Sequence, residues 1–183
     1  MLFKEEFSDI IISGAGPAGC SASMFLSKQG IKHTLIEKAV FPRDKICGDA
    51  ISGKVLTILE AFDKKASEEI SNTPNIFNPC KGIIFVSPNG TKLSIPFKHE
   101  YKTGDKAPGY LAKRLDFDNF LFIKIRSPFC HCIENCELKE IEKISKSLNI
   151  TVAHKSIKTT INTKLLISAD GSRSLAARKL GGI

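Results

Sequence analysis

The first forty residues alternate between apolar runs and glycine-rich breaks in the manner of a βαβ unit. The apolar run within residues 9–13 predicts a buried strand, residues 17–29 carry apolar side chains at helical spacing, and residues 33–37 predict a second strand that ends on the acid Glu37. Gly30 is expected just past the end of the helix, where a left-handed conformation favours glycine. The spacing places the following side chains on the inward face of the helix: Ala18, Ala22, Phe25 and Leu26.

The pattern changes from residue 81 onwards. Residues 82–95 contain two apolar runs around an Asn89-Gly90 dipeptide, which predicts a β-hairpin. A hairpin within a βαβ protein suggests the start of a second sheet. A loop is predicted over 41–52, helices over 53–61 and 115–126, strands near 130–138, 148–154 and 164–168, and a basic helix after residue 174.

Three glycines and one acid give the first unit its candidate chemistry. Gly14, Gly16 and Gly19 follow the first apolar run in G-x-G-x-x-G spacing, and Glu37 lies 18 residues after the last of them. In a dinucleotide-binding unit the first glycine allows a tight turn, the second admits the pyrophosphate, and the third lets helix and strand pack closely. The acid accepts hydrogen bonds from ribose hydroxyls. Because every flanking element is present, we interpret the segment as a nucleotide-binding site rather than a plain turn.

The bulk properties exclude few classes of protein. The chain has 183 residues and a net charge of +8 that is spread along it without a basic block, so nucleic-acid binding has no support. The N-terminus has no signal-peptide pattern and no apolar run reaches the ~18 residues of a membrane span. We therefore expect a cytoplasmic protein whose six cysteines are reduced thiols.

One cysteine-rich segment raises the question of a metal. Cys130, His131, Cys132 and Cys136 lie close together in the sequence. Structural zinc sites use pairs of cysteines on turns, and on a strand His131 would point away from its two neighbours. We therefore predict no metal site.

Separate motifs together resemble one flavoprotein group. They are the glycine motif with Glu37, the segment Phe41-Pro-Arg-Asp-Lys-Ile-Cys-Gly48, the segment Arg114-Leu-Asp-Phe-Asp-Asn-Phe-Leu121, and Ala169-Asp-Gly-Ser-Arg-Ser174. The combination resembles the geranylgeranyl reductase-like flavoproteins, which share a wider group with aromatic-ring hydroxylases and flavin-dependent halogenases. The likeness runs over residues 9–180. It implies an α/β fold, in which a Rossmann-like βαβ domain carries an inserted antiparallel β-sheet portion.

The resemblance implies FAD as the cofactor, bound in an extended form. It places the pyrophosphate on the backbone of Gly14, Gly16, Ala18 and Gly19 and the adenosine ribose on Glu37. Arg43 and Arg114 are implied near the phosphates or the ribityl chain, with surface charge as the alternative for both, and Leu138 is implied near the adenine.

At the flavin end, the resemblance implies backbone contacts from Cys47, Gly48 and Ala50. Cys47 is also the candidate catalytic residue beside the flavin ring, and its alternative is a small buried filler. Asp170, with Gly171 in the turn, is implied close to the cofactor. The alternative for Asp170 is to cap the helix that follows.

By the same resemblance, residues 1–80 are the FAD-binding βαβ part and residues 81–110 a hairpin of a substrate-side sheet. Residues 111–183 return to the FAD-binding domain. Family members are roughly twice as long, so the chain is expected to be an incomplete form of the fold that lacks its C-terminal half.

The implied function is the reduction of carbon–carbon double bonds in an isoprenoid, geranylgeranyl-type substrate by hydride transfer from reduced flavin. The implied partners are a small-molecule lipid substrate and an external electron donor, NAD(P)H or ferredoxin. Peripheral contact with a membrane would suit such a substrate. Two alternatives stay open: a flavin-dependent monooxygenase or halogenase, and an FAD-binding fragment without turnover.

Overall fold

A computed structural model describes residues 3–4, 8–102 and 104–181. The chain forms two compact units, one running to Asp44 and resuming at Phe117, the other comprising Lys45–Asp116. In chain order the elements are β1 (Ile10–Ser13), α1 (Pro17–Lys28), β2 (His33–Ile36), β3 (Ala50–Ser52), α2 (Gly53–Phe62), α3 (Ala66–Ser71), β4 (Asn78–Cys80), β5 (Gly82–Val86), β6 (Lys92–Pro96), β7 (Gly109–Leu111), α4 (Arg114–Lys124), β8 (Cys130–Ile133), β9 (Cys136–Ile144), β10 (Ser147–His154), β11 (Ile157–Thr163), β12 (Leu165–Ser168) and α5 (Leu175–Leu180).

The first unit is built on a parallel sheet in the order β12-β1-β2-β8. The strands β1 and β2 are almost completely buried, which explains the three consecutive isoleucines of β1 and the Leu35-Ile36 pair of β2. An antiparallel sheet, β11-β10-β9, contributes to the same core through Ile150 and Val152. The predicted α/β class, with parallel and antiparallel sheets in one chain, is confirmed.

The helix α1 packs with a different face from the one its apolar residues predict. Its buried residues are Gly19, Cys20, Ser23, Met24 and Leu26. Of the four side chains predicted to face inward, Ala18 is exposed and Phe25 is 52% exposed, and only Leu26 is buried. The small residues at positions 19 and 23 decide the face because they let the helix approach the sheet closely.

The later strands also differ from the sequence prediction. The strand predicted near 130–138 is two strands, β8 and β9, separated by a turn in which Asn135 has a φ of +52°. The strand β11 was not predicted, because its threonines and asparagine give it little apolar pattern. The predicted βαβ elements and the helices after residues 53 and 114 are confirmed.

The second unit contains the three-stranded antiparallel sheet β3-β7-β4, the helices α2 and α3, and the hairpin β5–β6. Its core includes Ile51, Leu59, Ile70 and Tyr110. The predicted hairpin is present, with Gly90 at a φ of +85° in its turn, whereas the loop predicted over 41–52 ends in the short strand β3.

The units have different boundaries from the three segments that the sequence predicts, 1–80, 81–110 and 111–183. The breaks fall after Asp44 and after Asp116, so the second unit includes α2 and α3 as well as the hairpin. The predicted division into FAD-binding and substrate-side segments concerns function and stays a prediction. The end of the last predicted segment, Gly182 and Ile183, lies outside the described residues.

The first residue of β2 is a fully buried histidine, His33. Nδ1 of His33 lies 2.9 Å from the carbonyl oxygen of Ile31, and Nε2 lies 2.7 Å from Oγ of Ser23. A carbonyl oxygen can only accept, so Nδ1 carries the proton and Nε2 accepts from the Ser23 hydroxyl. Burial lowers the pKa of His33 because the imidazolium ion would lose its hydration, although the bond to Ile31 acts in the opposite direction.

We expect this histidine to make the protein less stable in mild acid. The unfolded chain takes up a proton near the ordinary pKa of 6.5, whereas the native chain resists it, so the free energy of unfolding falls as pH drops below that value. The His33→Gln variant should lose stability at neutral pH, and the gap to the parent protein should narrow in acid. Urea unfolding at several pH values checks this. The exposed His99 supplies the control, and a gap that is the same for His33→Gln at every pH would contradict the assignment.

Within the part of the chain that the structure describes, no helix combines the length and the apolar character needed to cross a bilayer.

Candidate functional site

The glycine motif forms a tight turn at the carboxyl end of β1. Gly14 has a φ of +99°, and a Cβ there would lie 2.8 Å from the carbonyl carbon of Ala169. A Cβ on Gly19 would lie 2.9 Å from the carbonyl carbon of Gly14 and closer still to its oxygen. The first and third glycines are therefore required by close packing, as the motif predicts.

The second glycine lies at an open position. Gly16 is the N-cap residue of α1, and a Cβ there would meet only Nη2 of Arg43, at 3.5 Å. It has no side chain to cap the helix, Pro17 follows it, and the first turn contains no acidic residue. The first N–H groups of a helix have no partner within it. The N-terminus of α1 thus presents N–H groups and the positive end of the helix dipole beside a guanidinium group, an arrangement that suits an anion.

Glu37 lies at the end of β2, next to the glycine turn. Its side chain is buried, and its two carboxylate oxygens accept hydrogen bonds from the backbone N–H groups of Ala15 at 2.6 Å and Ala39 at 2.9 Å. Each carboxylate oxygen has two lone pairs, so the group keeps acceptor capacity for further donors. Because β1 and β2 are parallel and adjacent, the acid and the glycine turn share one edge of the sheet.

Asp170 follows β12 at the same edge and is half-buried. Its Oδ2 accepts from the backbone N–H of Leu175 at 2.9 Å, and its Oδ1 accepts from the Ser168 hydroxyl at 2.7 Å. Partial burial favours the neutral acid, but hydrogen bonds from Ser174, Ser168 and the backbone outweigh it and lower the pKa of Asp170. The carboxylate therefore supports the start of α5, where Ser174 is the N-cap, and Gly171 has the positive φ that the turn requires.

Three further predicted residues, Leu138, Ala18 and Arg43, belong to the first unit. Leu138 lies on β9 in the apolar core and is 8% exposed. Ala18 lies exposed in the first turn of α1. Arg43 forms an ion pair with Asp118, a buried residue of α4 that the sequence analysis missed. Its only signal in the sequence was its place within the segment 114–121, one of the motifs that carry the family resemblance.

The remaining predicted residues belong to the second unit. Cys47 is exposed, contrary to the alternative of a buried filler, and a hydrogen bond from Arg114 lowers the pKa of its thiol, aided by the backbone at Gly48. Nothing lies within 4 Å of a Cβ built on Gly48, and Ala50 pairs with Leu111 in the sheet. The structure thus brings together Cys47 and Arg114, whose side chains the sequence analysis assigned separately.

The pair of Cys47 and Arg114 predicts a reactive thiol. The thiolate is the nucleophile, so replacing Arg114 with leucine should raise the pKa of Cys47 and slow its alkylation by iodoacetamide near neutral pH several-fold. Mass spectrometry of the peptide that contains Cys47 gives the rate. The neighbouring exposed Lys113→Leu variant removes the same charge and should leave the rate unchanged. Equal slowing in both variants would mean that the general positive field, and not the hydrogen bond, activates the thiol.

The cysteines of β8 and β9, which are partly or fully buried, behave in the opposite way. Burial raises the pKa of Cys132 to about 12 and that of Cys136 to about 11. Burial also raises the pKa of Cys130. These thiols stay protonated at neutral pH, and the described residues contain no group of three or more His, Cys, Asp or Glu side chains that could hold a metal.

Comparison with known proteins shows which flavoproteins the chain is similar to. Residues 8–66 match a family profile described as an FAD binding domain. Over 178 residues, 97% of this chain, the sequence is 33% identical to the digeranylgeranylglycerophospholipid reductase of Methanococcus vannielii. Residues 8–66 thus match an FAD-binding domain, and nearly the whole chain is similar to a reductase named for a digeranylgeranyl lipid.

Solved structures agree on the fold of this FAD-binding domain. A geranylgeranyl bacteriochlorophyll reductase-like protein from Thermoplasma acidophilum superposes with a TM-score of 0.73 at 23% identity, covering 91% of this chain and 40% of that one. The p-nitrophenol 4-monooxygenase PnpA from Pseudomonas putida gives a TM-score of 0.79 at 17% identity, covering 97% and 44%. The predicted cofactor class, FAD, and the predicted family are confirmed.

The chain spans about two fifths of the length of the curated relatives it matches, 41% of the Methanococcus vannielii reductase and 40% of a second archaeal reductase.

The residues present fit a dinucleotide at one end. The uncapped helix N-terminus with Arg43 suits a pyrophosphate, and a buried carboxylate with spare lone pairs suits ribose hydroxyls.

Proposed function

We propose that this chain binds FAD and belongs to an enzyme that reduces carbon–carbon double bonds of an isoprenoid lipid. The observation that carries the binding proposal is the N-terminus of α1. It has neither a capping side chain nor an acidic residue in its first turn, and Nη2 of Arg43 lies beside Gly16. A helix N-terminus that has no acidic side chain in its own first turn and lies beside a guanidinium group favours an anionic ligand.

In this proposal, the backbone of Gly14, Gly16, Ala18 and Gly19 holds the pyrophosphate and Arg43 donates to it. Glu37 accepts from the adenosine ribose. Leu138 packs beside the adenine, and Asp170 with Gly171 borders the cofactor at the end of β12. These assignments rest on the glycine geometry, on the spare acceptor capacity of Glu37 and on the resemblance of the motifs.

The residues of the second unit are proposed to contact the flavin end of FAD. The backbone of Gly48 and Ala50 can approach a ring closely because it carries little side chain. The hydrogen bond from Arg114 lowers the pKa of Cys47, and this thiol is our candidate for exchanging a proton with the substrate.

The proposed reaction adds a hydride and a proton across an alkene. Reduced FAD, when bound, would supply the hydride and be oxidised to FAD, and the chain supplies position, electrostatics and exclusion of water. The relative from Methanococcus vannielii is named for reducing a digeranylgeranyl lipid, which supports a long apolar substrate taken from a membrane surface. An external donor such as NAD(P)H or ferredoxin must restore the reduced cofactor.

A second candidate is oxygen chemistry, which the fold similarity to p-nitrophenol 4-monooxygenase supports. A third is FAD binding without turnover, which the coverage of about two fifths of the relatives supports. The three differ in what reoxidises the reduced protein.

Anaerobic reoxidation separates these candidates. The chain is loaded with FAD, reduced by light, and mixed with a phospholipid that carries two geranylgeranyl chains. Oxidation of the flavin with formation of a saturated lipid supports the reductase. In a second assay, air and a phenol replace the lipid. Oxidation of the flavin that is coupled to hydroxylation of the phenol supports the monooxygenase. Air oxidation without any product indicates binding alone and contradicts the proposed reaction of this chain.

A further inference from the structure

The side chain of Arg43 is held by groups from two sides. Its Nη1 lies 2.8 Å from Oδ2 of Asp118, whose side chain is fully buried, while the Arg43 side chain is 18% exposed. An ion pair in such surroundings is screened little by water. Removing one partner of a buried pair leaves an uncompensated charge, so the pair constrains both side chains.

An aromatic stack supplies the second restraint. The guanidinium carbon of Arg43 lies 4.9 Å from the centre of the Phe41 ring, and that ring stacks on Phe122 with 4.1 Å between centroids and 5° between planes. The backbone N–H of Phe41 also donates to the carboxylate of Glu134 at 2.6 Å. A cation over an aromatic face is attracted by the ring electrons, so the stack holds the guanidinium from its other side.

Both restraints come from one face of one helix. Asp118 and Phe122 are four residues apart on α4, which places them one turn apart on the same side. The Asp118 carboxylate pairs with the guanidinium of Arg43, and the Phe122 ring stacks on Phe41. Position 43 is thereby fixed by a helix that lies 75 residues further along the chain.

The held side chain points its second amino group at the proposed phosphate site. Nη2 lies 3.5 Å from where a Cβ of Gly16 would be, whereas Nη1 is taken up by Asp118. A guanidinium is a rigid planar fork, so fixing one nitrogen fixes the direction of the others. Without Asp118, the same charge would remain but its donors would no longer be aimed.

We propose that Asp118 is a positioning residue that aims Arg43 at the pyrophosphate of FAD, with the Phe41–Phe122 stack as a second support. The proposal rests on the proposed FAD binding. A simple counter-ion would have the opposite effect, because a carboxylate that merely neutralises Arg43 repels phosphate, and its removal would strengthen binding.

The test is a double-mutant cycle on FAD affinity, measured by quenching of flavin fluorescence with the full chain. Asp118→Asn should weaken FAD binding by about 10-fold in the parent protein and by less than about 2-fold in an Arg43→Ala background. A merely structural role of Asp118 would weaken binding equally in both backgrounds. Equal losses, or tighter binding by Asp118→Asn, would overturn the proposal.

Two further measurements keep the test decisive. Thermal unfolding of the four proteins shows whether each variant folds. If Asp118→Asn does not fold, Phe122→Leu, which keeps an apolar side chain but removes the stack, should weaken FAD binding about 3-fold only when Arg43 is present. Equal weakening with and without Arg43 would overturn the proposal. Absence of FAD binding by the parent protein would instead refute the proposed function, so the two failures are distinguishable.

Discussion

Replacing Gly19 with alanine should abolish FAD binding and lower the free energy of unfolding by at least about 3 kcal/mol. The added methyl group would lie 2.9 Å from the carbonyl carbon of Gly14, closer still to its oxygen, and 3.3 Å from the Cβ of Ala169. The neighbours are backbone atoms of the turn and cannot rotate away as a side chain could. The helix must therefore move off the sheet, which removes its N-terminus from the proposed phosphate position.

The matched control for stability is Gly48→Ala. Nothing lies within 4 Å of a Cβ at Gly48, so its substitution should change the free energy of unfolding by no more than about 0.5 kcal/mol. Urea unfolding of both variants gives the comparison. Similar losses in the two proteins would show that the close approach of α1 to the glycine turn contributes little to the free energy of unfolding.

Replacing Glu37 with glutamine should have the second-largest effect. The carboxylate accepts from two backbone N–H groups in buried surroundings, whereas an amide has one acceptor oxygen and would turn its NH₂ group towards the other donor. A buried donor without an acceptor is costly, so we expect a loss of about 2 kcal/mol in the free energy of unfolding. FAD affinity should fall roughly 10-fold as charge-assisted bonds to the ribose are lost.

Urea unfolding and FAD titration of Glu37→Gln measure these losses. Glu142→Gln is the control, since Glu142 is an exposed acid on β9 and its loss changes the net charge equally. A Glu37→Gln protein with normal stability and a normal dissociation constant for FAD would contradict the role given to this carboxylate.

The local part of the architecture could be predicted because its causes are local. The glycine spacing and the two apolar runs lie within residues 9–37, and they specify the turn, the helix and the second strand together. The face of α1 could not be predicted from apolar content. Close packing at Gly19 turns Ser23 towards the sheet and leaves Phe25 half exposed.

The strand β11 escaped prediction for a related reason. It lies at the edge of its sheet, where one ladder partner suffices and polar residues are tolerated, so its sequence lacks the alternation of a half-buried strand. The break between β8 and β9 depends on the left-handed conformation of Asn135. The apolar residues on both sides of it make the two strands look like one in the sequence.

The surroundings of Arg43 depend on contacts between distant parts of the sequence. Asp118 follows it by 75 positions, and no spacing rule connects them. The sequence motif indicates that an arginine is present, but only the packing of α4 explains why that arginine is held beside Gly16.

The central claim, that these residues bind FAD, is tested most directly by the visible absorption spectrum of the purified and desalted chain after incubation with FAD. We predict a retained flavin spectrum with one FAD per chain, identified by chromatography after release. A protein that stays colourless after incubation, while folded by circular dichroism, would contradict the claim that these residues alone form the cofactor site.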